Sequence, residues 1–199
     1  MAFLNKLKWI LGILMIFILI MATNLIDRNN FIRVRDSVVT IYEDRLIAND
    51  LIFEMLKSVH QKELALTVSD STFFSSHNAN VNTHLQSLVM RFEQTKLTPE
   101  EEVVFEDLKS NLSGLKDAET QYLSSGFSNR TPVIGTIEDL KANLDDLSKI
   151  QLNEGSRQMS ISKRALDSVQ LFTQIEIFML VFLAIVVQII VMYNPKPKD

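Results

Sequence analysis

Three histidines, one Tyr–Arg pair and a run of amides and carboxylates are the side chains that come nearest to chemistry in this chain. His77 and His84 stand seven apart, two turns or about 10 Å along a helix, whereas zinc ligands on one helix sit a single turn apart. His60 stands alone. The absence of cysteine removes thiolate ligands, thiol nucleophiles and disulfides. No GxSxG, HExxH, P-loop or GxGxxG pattern occurs. No metal, cofactor or catalytic residue is therefore expected, and the chain is not read as an enzyme. Tyr42 and Arg45 are three apart and share a helix face. Arg45 could reach Glu43, Asp44, a partner chain or a ligand carboxylate, a plain surface ion pair being the commoner outcome. Gln151, Glu154 and Gln158 take seam positions of a long helix where apolar residues are expected, opposite Ala48, Asn49 and Asp50. Such a layer either binds a ligand or makes the packing bistable, or it only sets the register of a solvated stalk. The candidate ligand or signalling residues are Tyr42, Arg45, Asn49, Gln151, Glu154 and Gln158. Gly155, beside them, weakens its helix by ~1 kcal/mol relative to Ala and reads as a flex point or an allowance for close packing.

These residues must be positioned by helices. The 199 residues include only 5 Gly and 4 Pro, too few for the turns of a sandwich or barrel. The net charge of −4 argues against a nucleic-acid partner. Apolar residues at Phe31, Val34, Val38, Ile41, Leu46, Phe53, Leu56 and Val59 read as the buried stripe of a helix that runs without Gly or Pro from Asp27 to Asp70. The polar stretch Ser75–Asn80 reads as its turn. Val81, Leu85, Leu88 and Phe92 mark a second helix. Thr98-Pro99-Glu100-Glu101 opens a third with a capping box and a first-turn proline. That helix presents Val104, Leu108, Leu112, Leu115 and Tyr122, and Gly126 closes it. Thr131-Pro132 starts a fourth, with Ile137, Leu140, Leu144 and Leu147 spaced as a coiled-coil seam. The expected fold is all-α: an antiparallel four-helix bundle whose long first and fourth helices continue into two transmembrane helices. None of these amphipathic helices is stable alone in water.

Two charge-free runs, Trp9–Leu25 and Ile177–Tyr193, approach the ~20 residues that cross a bilayer. The first is long for a signal-peptide core and lacks a clean cleavage site, which favours an uncleaved anchor over a cleaved signal. Lys6, Lys8, Lys196 and Lys198 in the tails place both termini in the cytoplasm, although Arg28, Arg33 and Arg35 lie just beyond the first span. The expected division is 1–8 cytoplasmic tail, 9–26 first span, 27–171 extracytoplasmic bundle, 172–193 second span and 194–199 cytoplasmic tail. The middle block carries 16 basic and 22 acidic residues, as a solvated domain would. A two-helix stalk buries little, and a homodimer is the expected remedy.

The segment Ser37–Leu46, with Tyr42-Glu43-Asp44-Arg45-Leu46 on the first helix, resembles the four-helix-bundle ligand-binding domain of bacterial methyl-accepting chemotaxis receptors and related sensor kinases. So does the order span, long helix, two shorter helices, long helix, span, over about residues 1–195. The resemblance implies a sensory input module in the bacterial cytoplasmic membrane. It would bind a small molecule or partner outside the membrane and pass a helix displacement to a signalling protein. The family's amino-acid-binding members carry further arginines along the first helix; here none occurs between Arg45 and Arg91, and that ligand class is not expected. The family's HAMP linker and cytoplasmic signalling region do not follow Asp199 in this sequence. The alternative is a structural or assembly subunit of an envelope complex, with the bundle as spacer and binding surface. In both readings the expected partners are a second copy, membrane lipid along the two spans and a signalling or envelope protein.

Overall fold

A computed structural model describes Ala2–Met192, and the C-terminal tail expected at 194–199 lies outside the described residues. The elements are helices α1 (Ala2–Thr40), α2 (Ile47–Thr67), α3 (Asn78–Glu93), α4 (Pro99–Ser124) and α5 (Thr131–Met192). Two π-helical stretches, Ile41–Leu46 and Phe73–His77, join α1 to α2 and lead into α3. Among the described residues there is no strand. The chain divides into two compact units, Val39–Gln158 and a second made of Met1–Val38 with Met159–Asp199.

Unit Val39–Gln158 holds the four-helix core. Its seams recur at intervals of three, four or seven residues: Ala48, Ile52, Met55 and Val59 on α2; Leu85, Leu88 and Phe92 on α3; Phe105, Leu108, Leu115 and Tyr122 on α4; Ile137, Leu140, Leu144 and Leu147 on α5. This spacing is what lets each helix turn one apolar stripe inward. The Phe92 and Phe105 rings, centroids 5.0 Å apart, tie α3 to α4. Phe74, Tyr122 and Phe127 form a chain of edge-on rings at the far end.

The expected stripe on the first helix is corrected. Phe31, Val38, Leu46, Phe53 and Leu56 are exposed, and of that set only Val59 is fully buried. Two apolar series run along this helix about 100° apart, and the inward one contains small and charged residues that hydrophobicity alone passes over. The helix is also not regular throughout. Buried positions recur at Thr23, Asn30 and Ser37 on α1 and resume at Arg45, Ala48 and Ile52. Continuing the first series by alternate steps of four and three would reach 44, one residue short of Arg45. The π-helical stretch takes up that extra residue, the usual work of a π-bulge inside an α-helix.

The turn expected at Ser75–Asn80 lies earlier. Helix α2 ends in a Schellman arrangement: the Asp70 amide donates to the Ala65 carbonyl (2.8 Å) and the Ser69 amide to Leu66 (3.2 Å). Ser69 sits in the left-handed region at φ 55°, a role glycine usually fills. Asp70 then caps the next helix, its Oδ1 accepting from the Phe73 amide at 3.0 Å. Helix α4 begins as its capping box implies, with Thr98 Oγ1 accepting from the Glu101 amide and Glu101 Oε2 accepting from the Thr98 amide. It ends in a second Schellman arrangement through Gly126 at φ 63°.

In the second unit the buried side chains are largely small or polar: Thr23, Asn30 and Ser37 on α1, Ser162 and Ala165 on α5. The Thr23 hydroxyl bonds the Glu176 carboxylate. Outward-facing Phe17, Ile18, Phe178 and Phe182 are exposed. By length and composition, two helical stretches, within Gly12–Thr67 and Thr131–Leu183, are apolar enough to cross a membrane.

Candidate functional site

Two buried charge clusters interrupt the apolar core of unit Val39–Gln158. The first centres on Arg45, whose inward direction follows from the π-helical stretch carrying it. Its Nη1 donates to Glu101 Oε1 at 2.7 Å and to Gln151 Oε1 at 3.0 Å, and its Nη2 to the Lys96 carbonyl at 3.0 Å. One guanidinium thereby joins the first helix, the α3–α4 connection, the first turn of α4 and the seam of α5. Among the described residues, Arg45 Nε and Gln151 Nε2 are buried without a hydrogen-bond partner.

The second cluster lies further along α2. Lys62, wholly buried, donates through Nζ to Glu119 Oε1 at 2.5 Å and also bonds Asn78 Oδ1. Glu119 Oε2 accepts from Asn78 Nδ2 (2.7 Å) and Asn82 Nδ2 (3.0 Å). Burial holds the Lys62 ammonium below the ordinary lysine pKa, against the opposing pull of the Glu119 carboxylate and its hydrogen bond. With three donors on its two oxygens, the carboxylate is satisfied in a region where an unpaired charge would be costly.

The structure distributes the sequence-derived candidates unevenly. Arg45 and Gln151 meet in the first cluster. The expectation of a surface ion pair for Arg45 is corrected, because both it and Glu101 are buried. Tyr42 does not share its face: Tyr42 is 62 % exposed and Arg45 7 %, since the extra residue in the π-helical turn changes the angle between positions three apart. Asn49 accepts from the Ser148 hydroxyl at 3.2 Å, linking α2 to α5. Glu154 pairs with Arg157 on its own helix at 2.6 Å, and Gln158 is half-buried. Of the facing positions, Ala48 is buried and Asp50 exposed.

Lys62, Asn78, Glu101 and Glu119 are buried polar groups of the core that hydrophobicity alone does not single out. The signal was present in the spacing: 59, 62, 66 on α2 and 101, 105, 108, then 115, 119, 122 on α4 keep the seam rhythm straight through the charged residues. Among the described residues no group of three or more His, Asp or Glu is placed to hold a metal ion.

The fold is an all-α bundle with buried charge clusters between its helices. Its family is specific: the family model described as a four helix bundle sensory module for signal transduction matches residues 4–165, and the chain belongs to that family. The family-like segment Tyr42–Leu46 coincides with the first π-helical stretch. No curated protein and no solved structure matches the chain.

Proposed function

We propose that this sensory module is anchored in the bacterial cytoplasmic membrane by spans at 9–26 and 172–193, with both termini cytoplasmic and residues 27–171 outside. In this reading it works as a homodimer. A small molecule or protein partner engages the bundle, α5 shifts against α1, and the displacement reaches a signalling partner through the second span. The observation that carries this reading is that α5 is one helix from Thr131 to Met192. It runs unbroken from seam residues Leu140 and Leu144 to the apolar stretch that begins at Ile177. Gln151 on α5 holds Arg45 of the first helix, so an axial shift of 1–2 Å, a size common for such transitions, would break that bond. The exposed aromatic residues Phe17, Phe178 and Phe182 support burial in lipid.

The chain has no cysteine, which makes it suited to single-cysteine labelling. Cysteine at Ser110 should react with a membrane-impermeant maleimide on whole cells, and cysteine at Lys198 only after lysis. Co-purification of the tagged chain in mild detergent should bring a receptor, kinase or HAMP-bearing protein. Labelling at both positions would sink the topology. Recovery of envelope transport or motility components alone would favour a spacer over a sensor.

A further inference from the structure

A groove of about 500 Å³ opens between α3 and α4, within the size range of small-molecule sites. Its floor is apolar and belongs to the core: Leu85 and Leu115 are buried, with Val89 and Leu112 packed against them. No carboxylate lines it. Two lysines do, Lys109 and Lys116, seven residues and thus two turns apart on one face of α4. Lys109 is already neutralised by Glu106 at 2.6 Å and Glu93 at 3.2 Å. Lys116 is exposed and, among the described residues, makes no ion pair with a carboxylate.

We propose that this groove binds a small organic carboxylate with an apolar body, and that Asn82 relays its occupancy to the buried Lys62–Glu119 pair. One free ammonium beside an apolar floor recognises a single negative charge carried on a hydrophobic frame. The lining holds no arginine fork for a phosphate group, whose double charge and three oxygens favour one. Asn82 belongs to both structures. It lines the groove and donates to Glu119 Oε2 at 3.0 Å. Glu119 in turn lies one turn beyond Lys116 on α4. Asn82 Nδ2 carries two hydrogens, and a ligand carboxylate that accepts the second one draws the amide toward the groove, weakening its bond to Glu119, which Asn78 and Lys62 continue to hold. The site supplies a ligand class for the sensory reading and rests on it only for biological meaning.

The test is methyl and side-chain-amide NMR of the full chain in detergent micelles, titrated with cyclohexanecarboxylate and with cyclohexanecarboxamide as its uncharged isostere. The acid should give saturable shifts at the Val89 and Leu112 methyls, and the Asn78 side-chain amide should move with the same midpoint. The amide should bind about tenfold or more weakly, as should the acid to K116Q, because each removes a charge-assisted contact. K149Q, remote from the groove, should bind the acid normally. Absence of saturable shifts at those methyls, or equal binding of acid and amide, overturns the site. Groove shifts with a stationary Asn78 amide overturn the relay. None of these results bears on topology or partner recovery, by which the sensory reading stands or falls.

Discussion

The Arg45 guanidinium and the Glu101 carboxylate, 56 positions apart in sequence, meet at 2.7 Å with both side chains out of solvent. Lys62 and Glu119 repeat the arrangement further along the same two helices at a separation of 57. Two buried pairs at nearly equal offsets hold the first helix and α4 in parallel register. Apolar seams alone resist such slippage weakly, because one aliphatic layer substitutes readily for another. Specifying alignment is the best-attested use of buried polar pairs.

Removing one partner of the second pair should therefore cost more than removing both. K62M leaves Glu119 buried with only amides for company, and E119L strands the ammonium. Each should destabilise the chain by about 3–5 kcal/mol, while K62M/E119L should recover much of that loss. Denaturant unfolding of the full chain in mild detergent measures the cycle. Additive single-variant losses would contradict it.

Deleting Glu43, which is exposed in the π-helical stretch, should convert Ile41–Leu46 to regular α-helix and leave the α2 seam in phase. Deleting Asp50, also exposed but within regular α2, rotates every earlier residue about 100° relative to the core. The first variant should melt cooperatively near the parent temperature, and the second should lose its cooperative transition. Circular dichroism melts distinguish them, and equal damage from both deletions would rule out the phase argument.

Glu63 joins α2 to α5 through Lys141 at 2.9 Å. The hydrogen bond from Lys141, reinforced by His60, holds its carboxyl below the ordinary 4.5 despite some desolvation. A carboxyl depressed in the folded state contributes stability above about pH 4.5, its unfolded value, and loses it as pH falls through the lower native value. E63Q should flatten the pH dependence in that acidic window and leave stability near neutral pH within ~1 kcal/mol of the parent, since the pair is partly exposed. A parent and variant with parallel acid melts would refute the assignment.

Ser69 occupies a left-handed backbone conformation at φ 55° that costs an L-residue about 1–2 kcal/mol. S69G should raise the midpoint of unfolding despite the added flexibility of glycine in the unfolded chain. A lower midpoint would mean that the serine side chain contributes more than its backbone costs.

Gly155 lies within α5, and a methyl group built there meets no atom within 4 Å. G155A should stabilise the helix by about 1 kcal/mol. If the residue serves signalling as a flexible point, that gain should come with a weaker response of the partner to stimulus. An unchanged response would assign Gly155 to helix structure alone.

The parts of this architecture legible in the sequence are those with local causes. Thr98 and Glu101 are three residues apart and complete their capping box within a single turn, and Ile137 to Leu147 keep an uninterrupted apolar rhythm. Gly126 announces the end of α4 because glycine is the usual residue at that conformation. Ser69 performs the same task at the end of α2 without announcing it, and the turn was expected about six residues late. The charged core positions were obscured because Lys62, Glu101 and Glu119 look like surface residues until their partners, 57 and 56 positions away, are brought near. Arg45 required one thing more, a one-residue change of phase that periodicity counted from α1 cannot supply.

Glu101 divides its carboxylate between two tasks, one oxygen on the Thr98 amide that starts α4 and the other on Arg45, while Arg45 also grips the Lys96 carbonyl. The connection between α3 and α4 is thereby not an interchangeable part. Loops are ordinarily where homologous proteins trade length and sequence freely, and where domain grafts are cut. Here a transplanted connection would have to present a main-chain carbonyl where Arg45 of the first helix can reach it and lead into a helix that starts with the same doubly used glutamate. The natural module boundary for recombination therefore lies outside this corner rather than within it.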